Sequence, residues 1–247
     1  MRARDPEQLR LAGDRLAAKR WRLPGADLMA LCWHGAGGTA DDFAELAPRL
    51  VSAGLDVLVV DGPGHGASPT LPPEQMRPSF LARLAAEALD DLRVGETVFV
   101  GFSWGAAVAC WFGSLFPERT RALILLEGGH LDFADLPDFG DPPTPDAGAG
   151  DTLNATMRRA AFSEPATATY PDLRAREIPV LFVGRPLSTR ALRDLAFDPL
   201  ERLETRVPQA RIVTLDGDGH DILRTDAAAI AATSMAWLSL SSAGSDR

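Results

Sequence analysis

The sequence predicts an α/β fold: a mostly parallel central sheet with helices on both faces and a small lid inserted late in the chain. Three observations carry this. Short apolar runs alternate with longer amphipathic stretches, as expected when parallel strands are buried on both faces by crossover helices. Each run is followed at once by Gly, His, Asp or Glu, which gathers polar and turn-forming residues at the carboxyl ends of the strands, where open α/β sheets bind ligands. The alternation lapses once, between residues 130 and 175.

Taken in order, residues 9–11 and 16–21 read as an antiparallel hairpin feeding the sheet. The apolar runs 28–33, 57–60, 98–100, 123–126, 180–183 and 212–215 are its strands. Segments 41–53, 78–94, 103–116, 189–206 and 221–240 carry apolar residues at three-and-four spacing and read as helices, Pro78 suiting a first helical turn. From 135 to 145 the chain is too rich in Pro, Asp and Gly for regular structure. A helix is expected at about 151–162, so that 130–175 forms a lid over the polar sheet edge. Residues 241–247 read as a frayed tail, and the whole chain, 1–247, as one domain.

Composition narrows the function classes. The 247 residues are 46% hydrophobic and 24% charged, an ordinary globular balance. A net charge of −9 and a pI near 4.9 argue against nucleic acid and anionic membrane as partners. The two cysteines, Cys32 and Cys110, lie in apolar segments and read as small buried hydrophobes. The N-terminus has no apolar signal core and no run approaches the ~18 apolar residues of a membrane span, so a cytoplasmic location is expected.

The chemistry centres on Gly101-Phe102-Ser103-Trp104-Gly105. A serine between two glycines, at the exit of an apolar strand and the start of a helix, matches a nucleophile elbow, where the turn is so tight that its neighbours must be small. Three further landmarks follow expected strands: His34-Gly35-Ala36-Gly37-Gly38, Asp61-Gly62-Pro63-Gly64-His65-Gly66-Ala67-Ser68 and Gly217-Asp218-Gly219-His220-Asp221.

With these four landmarks in this order, the chain from 9 to 240 resembles the α/β-hydrolase superfamily. The resemblance implies a serine hydrolase with Ser103 as nucleophile, His220 as its base, and the backbone amides of Ala36 and Trp104 as oxyanion hole. Of the other histidines, His34 and His65 are expected to shape loops, and His130 to touch substrate or shape the lid. The acid departs from the common pattern, since most relatives place it soon after the strand 180–183 and here no carboxylate appears before Asp194. Some members place it at the end of the preceding strand, where this chain has Glu127. Glu127 is the favoured acid, with Asp132 and Asp194 left open.

Phe102, Trp104 and His130 are the expected substrate contacts, with Trp33, Phe133, Phe139 and Phe162 as further apolar wall candidates. The scattered histidines lack metal-ligand spacing, and Gly35-Ala36-Gly37-Gly38 lacks both the phosphate-cradle and the dinucleotide spacing. No metal or cofactor is expected. The resulting expectation is hydrolysis of an ester-type bond in a small organic substrate through an acyl-enzyme. A thioesterase or cyclase, with a carrier protein as partner, and a non-catalytic small-molecule binder are the alternatives.

Overall fold

The computed structural model describes residues 5–135, 159–160, 163–185, 195 and 197–243. The chain opens with the expected hairpin, β1 (Glu7–Leu11) paired antiparallel with β2 (Leu16–Trp21). Strand β3 (Met29–Trp33) follows, and all five of its residues are buried. The expected 41–53 helix is divided: a 3-10 turn (Ala40–Phe43), capped by Thr39 and Asp42, precedes α1 (Ala47–Ser52). Pro48 explains the break, because it fits the first turn of a new helix but lacks the N–H that an uninterrupted one would need.

Next come β4 (Asp56–Asp61), α2 (Pro78–Asp91), β5 (Thr97–Phe102), α3 (Trp104–Leu115) and β6 (Thr120–Leu126). Then follow α4 (Tyr170–Ala175), β7 (Val180–Gly184), α5 (Pro199–Arg206) and β8 (Ala210–Thr214). The expected terminal helix is interrupted at Asp226, giving α6 (Ile222–Thr225) and α7 (Ala227–Ala243).

The eight strands form one sheet in the order β1-β2-β4-β3-β5-β6-β7-β8, antiparallel at β1–β2 and β2–β4 and parallel from β4 through β8. Successive strand residues face opposite sides. Leu31, Trp33, Phe99, Leu123 and Phe182 pack beneath α2, α3 and α5, while Cys32, Val59, Val98, Ile124 and Val183 pack against α1, α6 and α7. Both cysteines are free and buried, and burial raises both thiols, Cys110 to about 12.

The chain leaves β3 for β4 on one side and then crosses to β5 on the other. Such a reversal, here at the carboxyl ends of β3 and β5, is where open α/β sheets bind ligands. Of the expected lid, the helix near 151–162 lies almost wholly outside the described residues. Its closing part is anchored to the body: the Glu164 carboxylate accepts from both the N–H and the hydroxyl of Ser79 at 2.9 Å, and the Tyr170 hydroxyl donates to the Gly129 carbonyl at 2.6 Å.

Candidate active site

Ser103 joins β5 to α3 with φ 52° and ψ −113°. A non-glycine residue held there is strained, at a cost of about 1–3 kcal/mol, and persists only where surrounding structure fixes it. Two constraints do so. The Ser103 N–H donates to the Leu126 carbonyl at 2.8 Å, and its own carbonyl accepts from the Ala106 N–H at 3.0 Å. The flanking glycines are required by contact, since a methyl group at Gly101 would lie 2.3 Å from the Gly105 carbonyl oxygen, and one at Gly105 would lie 2.2 Å from that of Trp33.

Trp104 is the first residue of α3, so its N–H has no acceptor within the helix. Its ring, expected at the substrate, is instead 3% exposed and belongs to the core. Phe102 remains half-buried at the site, its ring centroid 5.0 Å from that of His220.

The loop after β3 lies against this turn: a methyl group at Gly35 would stand 3.1 Å from Ser103 Cβ and 3.2 Å from Phe102 Cδ1. Two histidines shape it from below. The Gly62 N–H donates to His34 Nε2 at 2.8 Å, leaving Nδ1–H to donate to the Gly35 carbonyl at 2.7 Å. His65 repeats the pattern, accepting from the Gly37 N–H at 3.2 Å through Nε2 and donating through Nδ1 to the Pro63 carbonyl at 3.0 Å. Burial pushes His34 down to about 4, so it stays neutral at neutral pH. The Asp61 carboxylate ties the same loops together, accepting from Ala40 N–H at 2.7 Å and Ala67 N–H at 2.9 Å. Ala36 lies between these anchored points.

Across the sheet edge, His220 Nδ1 lies 3.2 Å from Glu127 Oε2. The two ends of the contact differ sharply, since the His220 side chain is 41% exposed and that of Glu127 only 1%. Glu127 directly follows β6 with φ 50°, its N–H donates to the Val183 carbonyl at 3.2 Å, and its second oxygen accepts from the Arg185 N–H. Both oxygens of this buried side chain are thus engaged, as a polar group taken out of water requires. Asp132 is differently occupied: both its oxygens accept from Thr167, one from the N–H at 3.2 Å and the other from the hydroxyl. Asp194 lies outside the described residues, as do Phe139, Phe162 and the side chain of Phe133.

His130, expected as a substrate contact, is 3% exposed, with its ring edge-on to Phe182 at 4.6 Å between centroids. Neither ring nitrogen completes a hydrogen bond; the nearby Gly128 backbone and Glu127 only partly offset the burial that pushes this imidazole down to about 4. His130 is thus a buried side chain packed against Phe182. Among the described residues no group of three or more His, Cys, Asp or Glu is arranged to hold a metal ion, and no helix is long and apolar enough to cross a membrane.

Sequence reading passed over Arg185. It directly follows β7 and is 7% exposed, with its guanidinium donating to the carbonyls of Asp216, Asp218 and Gly219. A lone arginine directly after a fully buried strand was the available signal.

Residues 31–193 match the family model described as alpha/beta hydrolase fold. The chain belongs to this family. Among individual α/β-hydrolase relatives, a 2-hydroxy-6-oxononadienedioate/2-hydroxy-6-oxononatrienedioate hydrolase of Burkholderia vietnamiensis is 35% identical over 113 residues, 43% of this chain and 39% of that one. A poly(3-hydroxyalkanoate) depolymerase of Ectopseudomonas oleovorans is 42% identical over 71 residues, 29% of this chain and 25% of that one. These matches therefore span well under half the length of the relatives. Two solved structures share the fold over nearly the whole chain. A thioesterase domain from the curacin biosynthetic pathway has a TM-score of 0.68 at 19% identity, covering 93% of this chain and 98% of that one. A structure from work on carboxylesterases of the thaumarchaeon Nitrososphaera gargenis has a TM-score of 0.71 at 14% identity, covering 96% of this chain and all of that one. The named relatives are hydrolases.

Proposed function

We propose that this protein is a serine hydrolase that cleaves an ester-type bond of a small organic substrate. The observation that carries this reading is the placement of Ser103 on a strained strand-to-helix turn at the sheet edge that also bears the His220–Glu127 pair. Serine is a weak nucleophile near neutral pH until a base takes its proton, and an imidazole oriented by a buried carboxylate suits that task.

In the proposed reaction, Nε2 of His220 takes the Ser103 hydroxyl proton as Oγ bonds to the substrate carbonyl carbon. The amides of Ala36 and Trp104 stabilise the resulting oxyanion. His220 then gives its proton to the departing alcohol oxygen as the carbon–oxygen bond breaks. A water molecule, deprotonated by His220, attacks the acyl group, and the proton returns to Ser103 as the acid product leaves. Glu127 holds Nδ1–H throughout, so that Nε2 faces the serine.

A second reading is favoured by the similarity to hydroxy-oxo-dienoate hydrolases, which recurs among the relatives. Here the same residues would act at the ketone carbonyl of a 6-oxo acid. Replacing Ser103 by Ala tests the shared chemistry. Hydrolysis of a small activated ester is expected to vanish while circular dichroism stays unchanged; an unaltered rate would overturn the assignment. A panel of esters, acyl thioesters of graded chain length and a 6-oxo-dienoate then separates the substrate classes.

A further inference from the structure

The loop between β8 and α6 carries His220 but has no regular secondary structure to fix it. What crosses it is Arg185. Its Nε donates to the Asp216 carbonyl at 2.9 Å, its Nη1 to those of Asp218 and Gly219 at 3.0 Å each, and its Nη2 to Asp226 Oδ2 at 2.6 Å. The guanidinium thus spans the loop from its beginning to the residue before His220 and ties it to the start of α7. The backbone of the same residue serves the other partner, because its N–H donates to Glu127 Oε1 while Glu127 Oε2 meets His220. One residue at the end of β7 therefore registers both members of the His220–Glu127 pair.

We infer that Arg185 is the positioning residue for His220, holding the imidazole at the height where it meets Glu127. The inference rests on the proposed role of His220 as base. Arg185 touches neither substrate nor Ser103, and it acts through the loop. The chemistry demands arginine. A planar guanidinium presents several donors in a fixed fork and can satisfy three carbonyls and a carboxylate together, whereas a lysine ammonium is a single point with three donors. Neither chain neighbour can substitute, since Gly184 has no side chain and Pro186 has no donor to offer the loop carbonyls.

The test is a set of purified variants, Arg185→Lys, Arg185→Met and Arg185→Ala, with Asp226→Asn as the partner control. Each is assayed for hydrolysis of a small activated ester and for amide hydrogen exchange. A base displaced by about 1 Å loses on the order of 100-fold in rate. Arg185→Lys and Arg185→Met are therefore expected to lose about 10- to 100-fold in kcat with KM within about 3-fold of wild type. Asp226→Asn, which spares all three carbonyl contacts, is expected to lose far less. Added methylguanidinium should restore part of kcat in Arg185→Ala, which a general loss of folding would not allow. Amides of residues 216–221 should exchange faster in Arg185→Met while those of β5 and β6 do not change. Should Arg185→Met fail to fold, Arg185→Lys, which keeps the charge, carries the same kcat and exchange measurements. A folded Arg185 variant with wild-type kcat, or with unaltered exchange in 216–221, overturns the inference. If the wild type itself neither hydrolyses the ester nor reacts with a fluorophosphonate, the serine-hydrolase reading falls, while the exchange measurement still tests the clamp.

Discussion

Replacing Glu127 by Gln isolates the charge and hydrogen-bond polarity of the acid without changing its shape. In the native arrangement one carboxylate oxygen accepts from the fixed Arg185 N–H and the other faces His220 Nδ1 at 3.2 Å. A glutamine amide has one acceptor and one donor end. Turning the NH2 toward Arg185 would set donor against donor in a fully buried site, at about 1–3 kcal/mol. The amide oxygen is therefore held at Arg185, and the NH2 faces His220. Nδ1 must then be the unprotonated nitrogen, and the proton moves to Nε2, the atom that has to accept from Ser103. Inverting the tautomer in this way costs about 10,000-fold in kcat in the trypsin-type triad. The more exposed imidazole here places the expected loss at about 1,000- to 10,000-fold, equivalent to about 4–5 kcal/mol of barrier. Steady-state hydrolysis of a small activated ester measures it, with thermal unfolding as the control for folding. Asp132→Asn, whose carboxylate is committed to Thr167, and Asp194→Asn should each stay within about 3-fold in kcat, the scale of an ordinary non-catalytic change. The reasoning is refuted if Glu127→Gln stays within that same range, or if either aspartate substitution is the more damaging.

Three further outcomes follow from the same geometry. Gly101→Ala places a methyl group 2.3 Å from the Gly105 carbonyl oxygen and should destabilise by about 3 kcal/mol. For a domain of this size that lowers the calorimetric Tm by about 6–12 °C, and an unchanged Tm would contradict the close packing of the turn. Ser103→Gly relieves the positive φ and should melt a few degrees above the equally inactive Ser103→Ala; the reverse order would mean that the turn is unstrained. Acid stability reports the buried imidazoles, since His34 and His130 both sit at about 4 in the folded chain against about 6.5 when unfolded. The unfolded chain binds the extra protons between these values, so this contribution is fully present above pH 6.5 and is lost as pH falls toward 4. At about 1.4 kcal/mol per pH unit, each histidine removes up to about 3 kcal/mol. Burial raises Asp42 and Asp132, which opposes this trend. Urea midpoints measured from pH 7.5 to 4.5 should fall less steeply in His130→Leu than in wild type, and identical slopes would refute the assignment of His130 as a neutral buried residue.

The sheet was legible because parallel strands buried on both faces leave uninterrupted apolar runs, and all six runs recur as strands. The observed strands extend one to three residues beyond several of them, as at Thr120–Leu126, since polar ends of a strand still join the ladder. The helix 41–53 was read through Pro48 because spacing alone does not reveal a restart, and the terminal helix was read through Asp226 for the same reason. The pairing of Glu127 with His220 was implied by the resemblance to the α/β-hydrolase superfamily and supported by a carboxylate following an apolar strand, a position that is costly unless a partner exists. Trp104 and His130 were placed at the substrate because aromatic and imidazole side chains near a turn give no sign of which way they face. Trp104 points into the core beneath α2, and His130 against Phe182. The position of Arg185 directly after a buried strand marked it as unusual, but its partners, main-chain carbonyls some 30 residues away, have no sequence signature.

The most direct measurement is covalent labelling with a fluorophosphonate followed by peptide mass mapping. The expected result is a single adduct on Ser103, absent in Ser103→Ala and strongly slowed in His220→Ala and Glu127→Gln. Labelling elsewhere, or none on the folded wild type, would contradict Ser103 as the nucleophile.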